Sequence, residues 1–346
     1  MKTNLLSLVS GFVLLLVAPL AVVSAWGGYV GQKQQDKGEY RLEGPFTQGN
    51  LTVFLIHGKD KVKGQTFITL QEALVQKKVI VRETREVNEL SIENISSEEV
   101  FVQSGDIVKG GQQDRMLVVD LILPPRSGRV PIAAFCVENG RWSRRGNEEV
   151  TTFNSSSNVV ASREVKLAAK ARGSQGEVWR EVAAAQDKLS ANVGGSVKNV
   201  ASPTSLQLAL ENKDVQKTAE NYVDALSGIV NGKPDVIGYV FAINGKINSA
   251  DIYASSVLFK KLWPKLLKAS AIEAIAELRR GEKFAAPRSD AVQGFLDDSS
   301  KGAEKQKDVS SRVQMVTRES DGSVFFETRD RAKSDVWVHR NLIKKN

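Results

Sequence analysis

Between two runs of β-forming residues the chain reads Ser104-Gly105-Asp106-Ile107-Val108-Lys109-Gly110-Gly111-Gln112-Gln113-Asp114-Arg115. Glycines let a backbone approach a ligand closely, and the other side chains supply a ring of hydrogen-bonding groups. Further along, Cys136-Val137-Glu138-Asn139-Gly140-Arg141-Trp142 ends another strand with a carboxylate, a guanidinium and an indole. If the sheet brings these strand ends together, the candidate ligand-binding residues are Asp106, Lys109, Gln113, Asp114, Arg115, Glu138, Arg141 and Trp142. Two chemistries fit them. In the first they hold a polar or anionic ligand, or an envelope protein, without reaction. In the second, Asp106, Asp114 or Glu138 serve as acid and base on an anionic phosphoester or ADP-ribose-like substrate, with Lys109 and Arg115 stabilising its charge. A purely structural alternative has the glycines shaping a bulge and the charges pairing across strands.

Other chemistries find little support. The histidines are His57 and His339 and the single cysteine is Cys136, too few to fill a standard structural zinc site; an all-carboxylate site stays open, and no metal is assigned. Each histidine borders a β run, where a packed or surface role is the default. No Gly-x-Ser-x-Gly elbow occurs, and the glycines of Gly58–Gly64 are spaced one residue too far apart for a phosphate loop, with Gln65 where its lysine belongs. No Gly-x-Gly-x-x-Gly is present, so no nucleotide cofactor is expected. No catalytic residue can be assigned from residue types alone.

The elements that must position these groups can be read from periodicity and punctuation. Leu51 to His57 is β-rich, and Thr69 to Lys77 carries Leu70, Ala73 and Leu74 at helical spacing. From Glu89 to Val137 short strands alternate with Asn, Ser, Gly and Pro. Helix signals then multiply over about 160–230: Ser174 and Glu177 fit a capping box, and Ser202-Pro203 an N-cap with proline at the first helical position. Asn244-Gly245 marks a hairpin between Val236–Ile243 and Lys246–Tyr253, because both turn positions need positive φ. A helical region from Ser256 should be kinked or restarted at Pro264 and stopped by Gly281. Asp297 to Asp308 reads as a polar linker, and 309–346 as a β-rich C-terminal segment with a turn at Asp321-Gly322. Strands come in runs and helices come in runs, so the expected fold is α+β: a mainly antiparallel sheet or sandwich with a helical middle section, in one domain over 51–296.

Residues 1–25 read as a signal peptide, with Lys2, an apolar run from Leu5 to Val23 and a small-residue cleavage site at Val23-Ser24-Ala25. An uncleaved anchor is the alternative. Residues 26–49, rich in Gly, Gln and Lys, are expected as a mobile leader. No second run of that length follows, so no transmembrane segment is expected after signal removal, and the protein is placed in the periplasm or outside the cell. Hydrophobic residues make up 41% and charged residues 25%, the balance of a folded globular chain. The formal charge of +8 favours anionic surroundings, but the bases are scattered among acids, as in Arg82-Glu83-Thr84-Arg85-Glu86, which argues against nucleic acid as a partner.

The two polar stretches, together with Ile243–Asp251 and Leu258–Leu267, resemble the ARG and rhodanese-phosphatase-superfamily-associated protein domain family, over about Leu51 to Ala276. The similarity lies in Gly105-Asp106, Gly110 and Gln113-Asp114-Arg115 before a strand, and in the Cys-Val-Glu-x-Gly-Arg-Trp block at Cys136–Trp142. The resemblance implies a mixed fold and no established activity. The family's name reflects proposed company with ADP-ribose-processing and phosphatase-like proteins, which is association rather than mechanism. The signal segment and the β-rich tail after Asp297 look like additions to the simplest members, and set this chain apart from a cytosolic nucleotide role.

Overall fold

Every residue of the strand Leu51–His57 is buried, as is every residue of Val236–Ile243 beside it. Side chains alternate across a strand, so both faces of this pair must be covered. Leu51, Val53 and Leu55 enter the main core, which includes the helix Ser256–Ala276. Phe54 and Ile56 face a second cluster under Val292, Phe295 and Leu296 of the helix Ser289–Ser299. The computed structural model describes residues 39–62, 64, 66–299 and 301–345; the expected signal segment 1–25 and residues 26–38 of the expected leader lie outside the described residues.

The two strands sit in an eight-stranded antiparallel sheet, in the order Arg41–Gln48, Leu51–His57, Val236–Ile243, Lys246–Tyr253, Val336–Lys344, Ser323–Asp330, Val313–Glu319, Glu304–Asp308. Asn244 and Gly245 turn the central hairpin with φ of 53° and 74°, as the sequence requires. The outermost strand, Glu304–Asp308, is exposed throughout and carries Lys305 and Lys307, charges that discourage pairing with another chain.

Six further strands close into a barrel in the order Gly128–Cys136, Glu89–Asn94, Val79–Glu83, Thr152–Val160, Asp106–Gly110, Arg115–Leu117. The register places Val81 opposite Ile92, Val108 opposite Arg115, Ala134 opposite Leu117 and Cys136 opposite Arg115. These residues share the inner face, and all are fully buried. The helices Gln175–Val193, Lys213–Leu226 and Ser256–Ala276 pack beside the barrel and the sheet. The α+β expectation therefore holds, with an open sheet and a closed barrel.

Several local readings change. Arg41–Gln48 of the expected leader is a strand, because it pairs with Leu51–His57. The expected linker 297–308 is divided between the end of the helix Ser289–Ser299 and the edge strand, and the C-terminal strands lie in the same sheet as residues 51–57 rather than forming a segment apart. Ser205, not Ser202, caps the helix Leu206–Leu210, its hydroxyl accepting from the Leu208 amide at 3.0 Å. The helix Ser256–Ala276 runs unbroken through Pro264, which with Lys260 lies on its exposed face, where the carbonyl deprived of a partner can turn to solvent. It ends at Glu277 rather than at Gly281.

Because Lys246–Tyr253 takes its second partner from Val336–Lys344, a chain ending at Asp297 leaves a mid-sheet strand with an open edge. Such a chain is expected to lose cooperative urea unfolding and to aggregate. A sharp two-state transition for it, followed by circular dichroism, would contradict this account.

Candidate functional site

The two polar stretches do meet, at one end of the barrel, and the carboxylates they bring together are buried. Asp114 and Glu138 are both fully inaccessible. One oxygen of Asp114 accepts from the Gly110 amide at 3.0 Å and from Arg145 at 2.8 Å; the other accepts from Arg145 at 2.9 Å and from the Ser205 hydroxyl at 2.7 Å. Glu138 accepts from Arg141 at 2.7 Å, from Arg145 at 3.0 Å and from the Asp114 amide at 2.8 Å. Arg141 also donates to the carbonyls of Gly110 and Gly111, each at 3.1 Å. Only glycine fits at 111: φ is +54°, and a Cβ would lie 2.3 Å from the Phe153 ring. Burial would lift the Glu138 carboxyl, but hydrogen bonds from Arg141, Ser202 and the Asp114 amide hold it below its ordinary value. Burial also opposes the charge of Arg145, yet its contacts with Asp114 and Glu148 raise it above the usual guanidinium range. With nearly every lone pair engaged, neither carboxylate is free to take a proton from a substrate.

Beside this knot the inward face of the barrel ends in Glu83, Arg115 and Cys136. Arg115 is wholly buried and donates to the Cys136 sulfur at 2.8 Å and to the Gln113 side-chain oxygen at 3.2 Å. Its Nε and Nη2, and the Gln113 amide nitrogen, are buried without a hydrogen-bond acceptor; Nη2 stands 3.5 Å from Glu83, whose own oxygens accept from the Arg85 and Gln112 amides. The guanidinium lies 5.8 Å below the Trp142 ring, which is 49% exposed. Burial pushes the Cys136 thiol up.

Two expected residues lie apart. Asp106 is at the opposite end of the strand Asp106–Gly110, about 13 Å from Gly110 at 3.3 Å per residue, and pairs with Lys265. Lys109 points outward to Glu211 at 2.6 Å. The site therefore comprises Gln113, Asp114, Arg115, Glu138, Arg141 and Trp142, joined by Arg145, Ser205 and Glu83. Sequence reasoning missed these last three: Arg144-Arg145 reads as surface charge, and Ser205 belongs to another element, close to Asp114 only in the folded chain.

Asp106 borders a second buried polar network, between barrel and sheet. His339 is held between Asp120 at 2.8 Å and Asp251 at 3.0 Å and stacks on Tyr253. Thr328 and the Ser104 amide also donate to Asp120, and Lys170 reaches Ser104 and Asn341. Lys170 lies in a π-helical turn, Leu167–Ala171, and burial lowers its amine to about 8. Against burial, the two carboxylates raise His339, and His339 in turn depresses both of them. His339 is thus packed in the interior, paired with two carboxylates and not an apolar filler. Among the described residues no group of His, Cys, Asp and Glu is arranged to hold a metal ion.

Two outcomes follow. Arg145→Met leaves Asp114 and Glu138 buried with Arg141 as their remaining guanidinium, 3.8 Å from Asp114, and should cost about 3–5 kcal/mol, read from urea midpoints; a loss below about 1 kcal/mol would contradict the description of the knot. For the second network, Asp120 contributes above 3.8 and loses its contribution as pH falls through its depressed folded value; His339 contributes fully below 6.5 and loses its contribution as pH rises through its raised one. The stability gap between the native chain and His339→Gln should therefore peak between 3.8 and 6.5 and narrow as pH rises through the raised value of His339. A gap independent of pH would overturn this assignment.

No curated protein and no solved structure matches the chain significantly. The sequence profile of the ARG and Rhodanese-Phosphatase-superfamily-associated Protein domain matches residues 39–343, a span that takes in the barrel, the helices and the C-terminal strands alike. The tail after Asp297 is therefore part of the family's domain and not an addition to it, and the chain belongs to that family.

Proposed function

We propose that the chain is a binding protein whose ligand presents an anionic or acceptor-rich group to Arg115 and Gln113 at the barrel mouth, beside Trp142. The observation that carries this reading is the set of three buried donors without acceptors: Arg115 Nε and Nη2 and the Gln113 amide nitrogen. Leaving a buried donor unmet costs about 1–3 kcal/mol, more where the group is charged. A carboxylate or phosphoryl group is the kind of acceptor such donors require, and the half-exposed indole beside Arg115 offers a flat face to the rest of the ligand. The hydrolase alternative draws less support, because Asp114 and Glu138 are engaged by guanidinium groups and amides and Asp106 by Lys265. Action outside the cytoplasm belongs to the same proposal and rests on residues 1–25 alone; an intact Met1 on exported material would refute cleavage.

Titration with inorganic phosphate and with ADP-ribose, followed by tryptophan fluorescence with Trp142→Phe as the control, tests the binding reading. Binding should weaken roughly tenfold or more in Gln113→Leu and in Arg115→Met. Gln113→Leu keeps the test meaningful if Arg115→Met fails to fold. Affinity unchanged in both variants, or no response to either anion, would sink the reading. Turnover of phosphoesters that Glu138→Gln abolishes would favour the hydrolase instead.

A further inference from the structure

Away from the barrel mouth, a cleft runs between the helices Gln175–Val193 and Ser256–Ala276, with the helix Leu206–Leu210 along it. It holds a cavity of about 50 Å³ within about 600 Å³ of free space. A water needs roughly 10–15 Å³ of such space, so there is room for a short chain of carbons. The walls are aliphatic: Ala184, Ala185, Leu189, Leu206, Ala269 and Ile272. The charged groups lining it are Glu164, Glu181, Glu273, Glu277 and Lys188, four acids against one base.

Those acids are not equivalent. Glu164 has Arg163 at 2.5 Å, Glu181 has Arg172 at 3.9 Å, and Glu277 has Lys188 at 2.5 Å. Glu273 has no lysine or arginine nitrogen within 4.0 Å among the described residues; its carboxylate accepts from the Asn248 amide at 2.7 Å and from the Arg163 backbone amide at 3.2 Å. Two of its roughly four acceptor positions are thus open, and the residue is partly exposed to the cleft. Burial raises its carboxyl above the ordinary value, although the Asn248 hydrogen bond and the more distant charges of Arg163 and Lys166 favour ionisation, so a cation bound directly to it would favour the ionised form.

We propose that this cleft is a second binding site, for a small amphiphilic cation: a primary alkylammonium whose chain lies among the alanines and leucines and whose nitrogen donates to Glu273. The three hydrogens of an ammonium suit a carboxylate with open acceptor positions, whereas the carboxylate of an anionic amphiphile of the same length offers Glu273 no donor and repels its charge. The site does not depend on the barrel mouth.

Calorimetric titration of the full chain with n-butylammonium, n-butanol and butyrate tests the assignment. Butylammonium should bind, butanol more weakly and butyrate not at all. Glu273→Gln keeps the Asn248 contact but removes the charge, and should weaken butylammonium roughly tenfold while leaving butanol unchanged. Ala185→Leu fills the cavity and should abolish binding of both, which keeps the test decisive if Glu273→Gln is unstable. Butyrate binding as tightly as butylammonium, indifference of butylammonium to either substitution, or no heat from any of the three would overturn the proposal.

Discussion

Two carboxylates buried side by side cannot both remain ionised unless positive charge is buried with them, and at the end of the barrel that charge comes from Arg145, with Arg141 beside it. The Arg145 guanidinium spans Asp114 and Glu138, one residue from each of the two polar stretches, and so fixes the distance between strand ends remote in sequence. Much else hangs on this contact. Asp114 in turn receives Ser205, and the Leu206 amide donates to the Val137 carbonyl, so the helical section is tied to the barrel by hydrogen bonds that would be pointless without the knot. Such networks resist partial disruption: satisfied, they specify one arrangement, and half satisfied they cost more than an apolar core would.

The network around His339 does the same at the junction of barrel and sheet. Asp120 begins the short strand Leu121–Leu123, His339 lies on the last strand of the chain, and Lys170 lies in a π-helical turn, where one extra residue rotates a side chain out of helical register. Three elements far apart in sequence thus converge on one dry location. The charges there answer one another in sign, so the junction tolerates burial without an apolar seam.

What the sequence disclosed, and what it concealed, divides along the same line. Local rules were readable: the hairpin at Asn244-Gly245 needs positive φ, Ser174 caps its helix, and Leu51–His57 could hardly be other than a strand. The eight candidate residues could be picked out because residue types unusual for a strand stood inside β runs. Partners could not be read, since Arg145, Ser205 and Glu83 reach the site through register and loop path. Asp106 misled for the reverse reason: it is close to Asp114 in sequence, but a strand carries the two to opposite ends. The C-terminal strands misled as well, because a charged stretch such as Glu304–Asp308 reads as a linker until its place at the exposed edge of a sheet explains the charge.

Of the guanidinium groups of Arg115, Arg141 and Arg145 at the barrel end, two are treated in opposite ways. Arg145 has its nitrogens aimed at Asp114, Glu138 and Glu148, while Arg115, more deeply buried, leaves Nε and Nη2 without an acceptor. The seven hydrogen bonds that Asp114 and Glu138 accept all come from donors of this end of the barrel, so these two carboxylates are committed to Arg141, Arg145, Ser205 and backbone amides and leave little acceptor capacity for Arg115. Glu83, 3.5 Å from Nη2, balances the charge of Arg115 without meeting its donors, and a buried donor left unmet is costly. That contrast, and not the presence of acids and bases as such, separates the residues that hold the barrel end together from those that have bonding capacity left to offer a ligand.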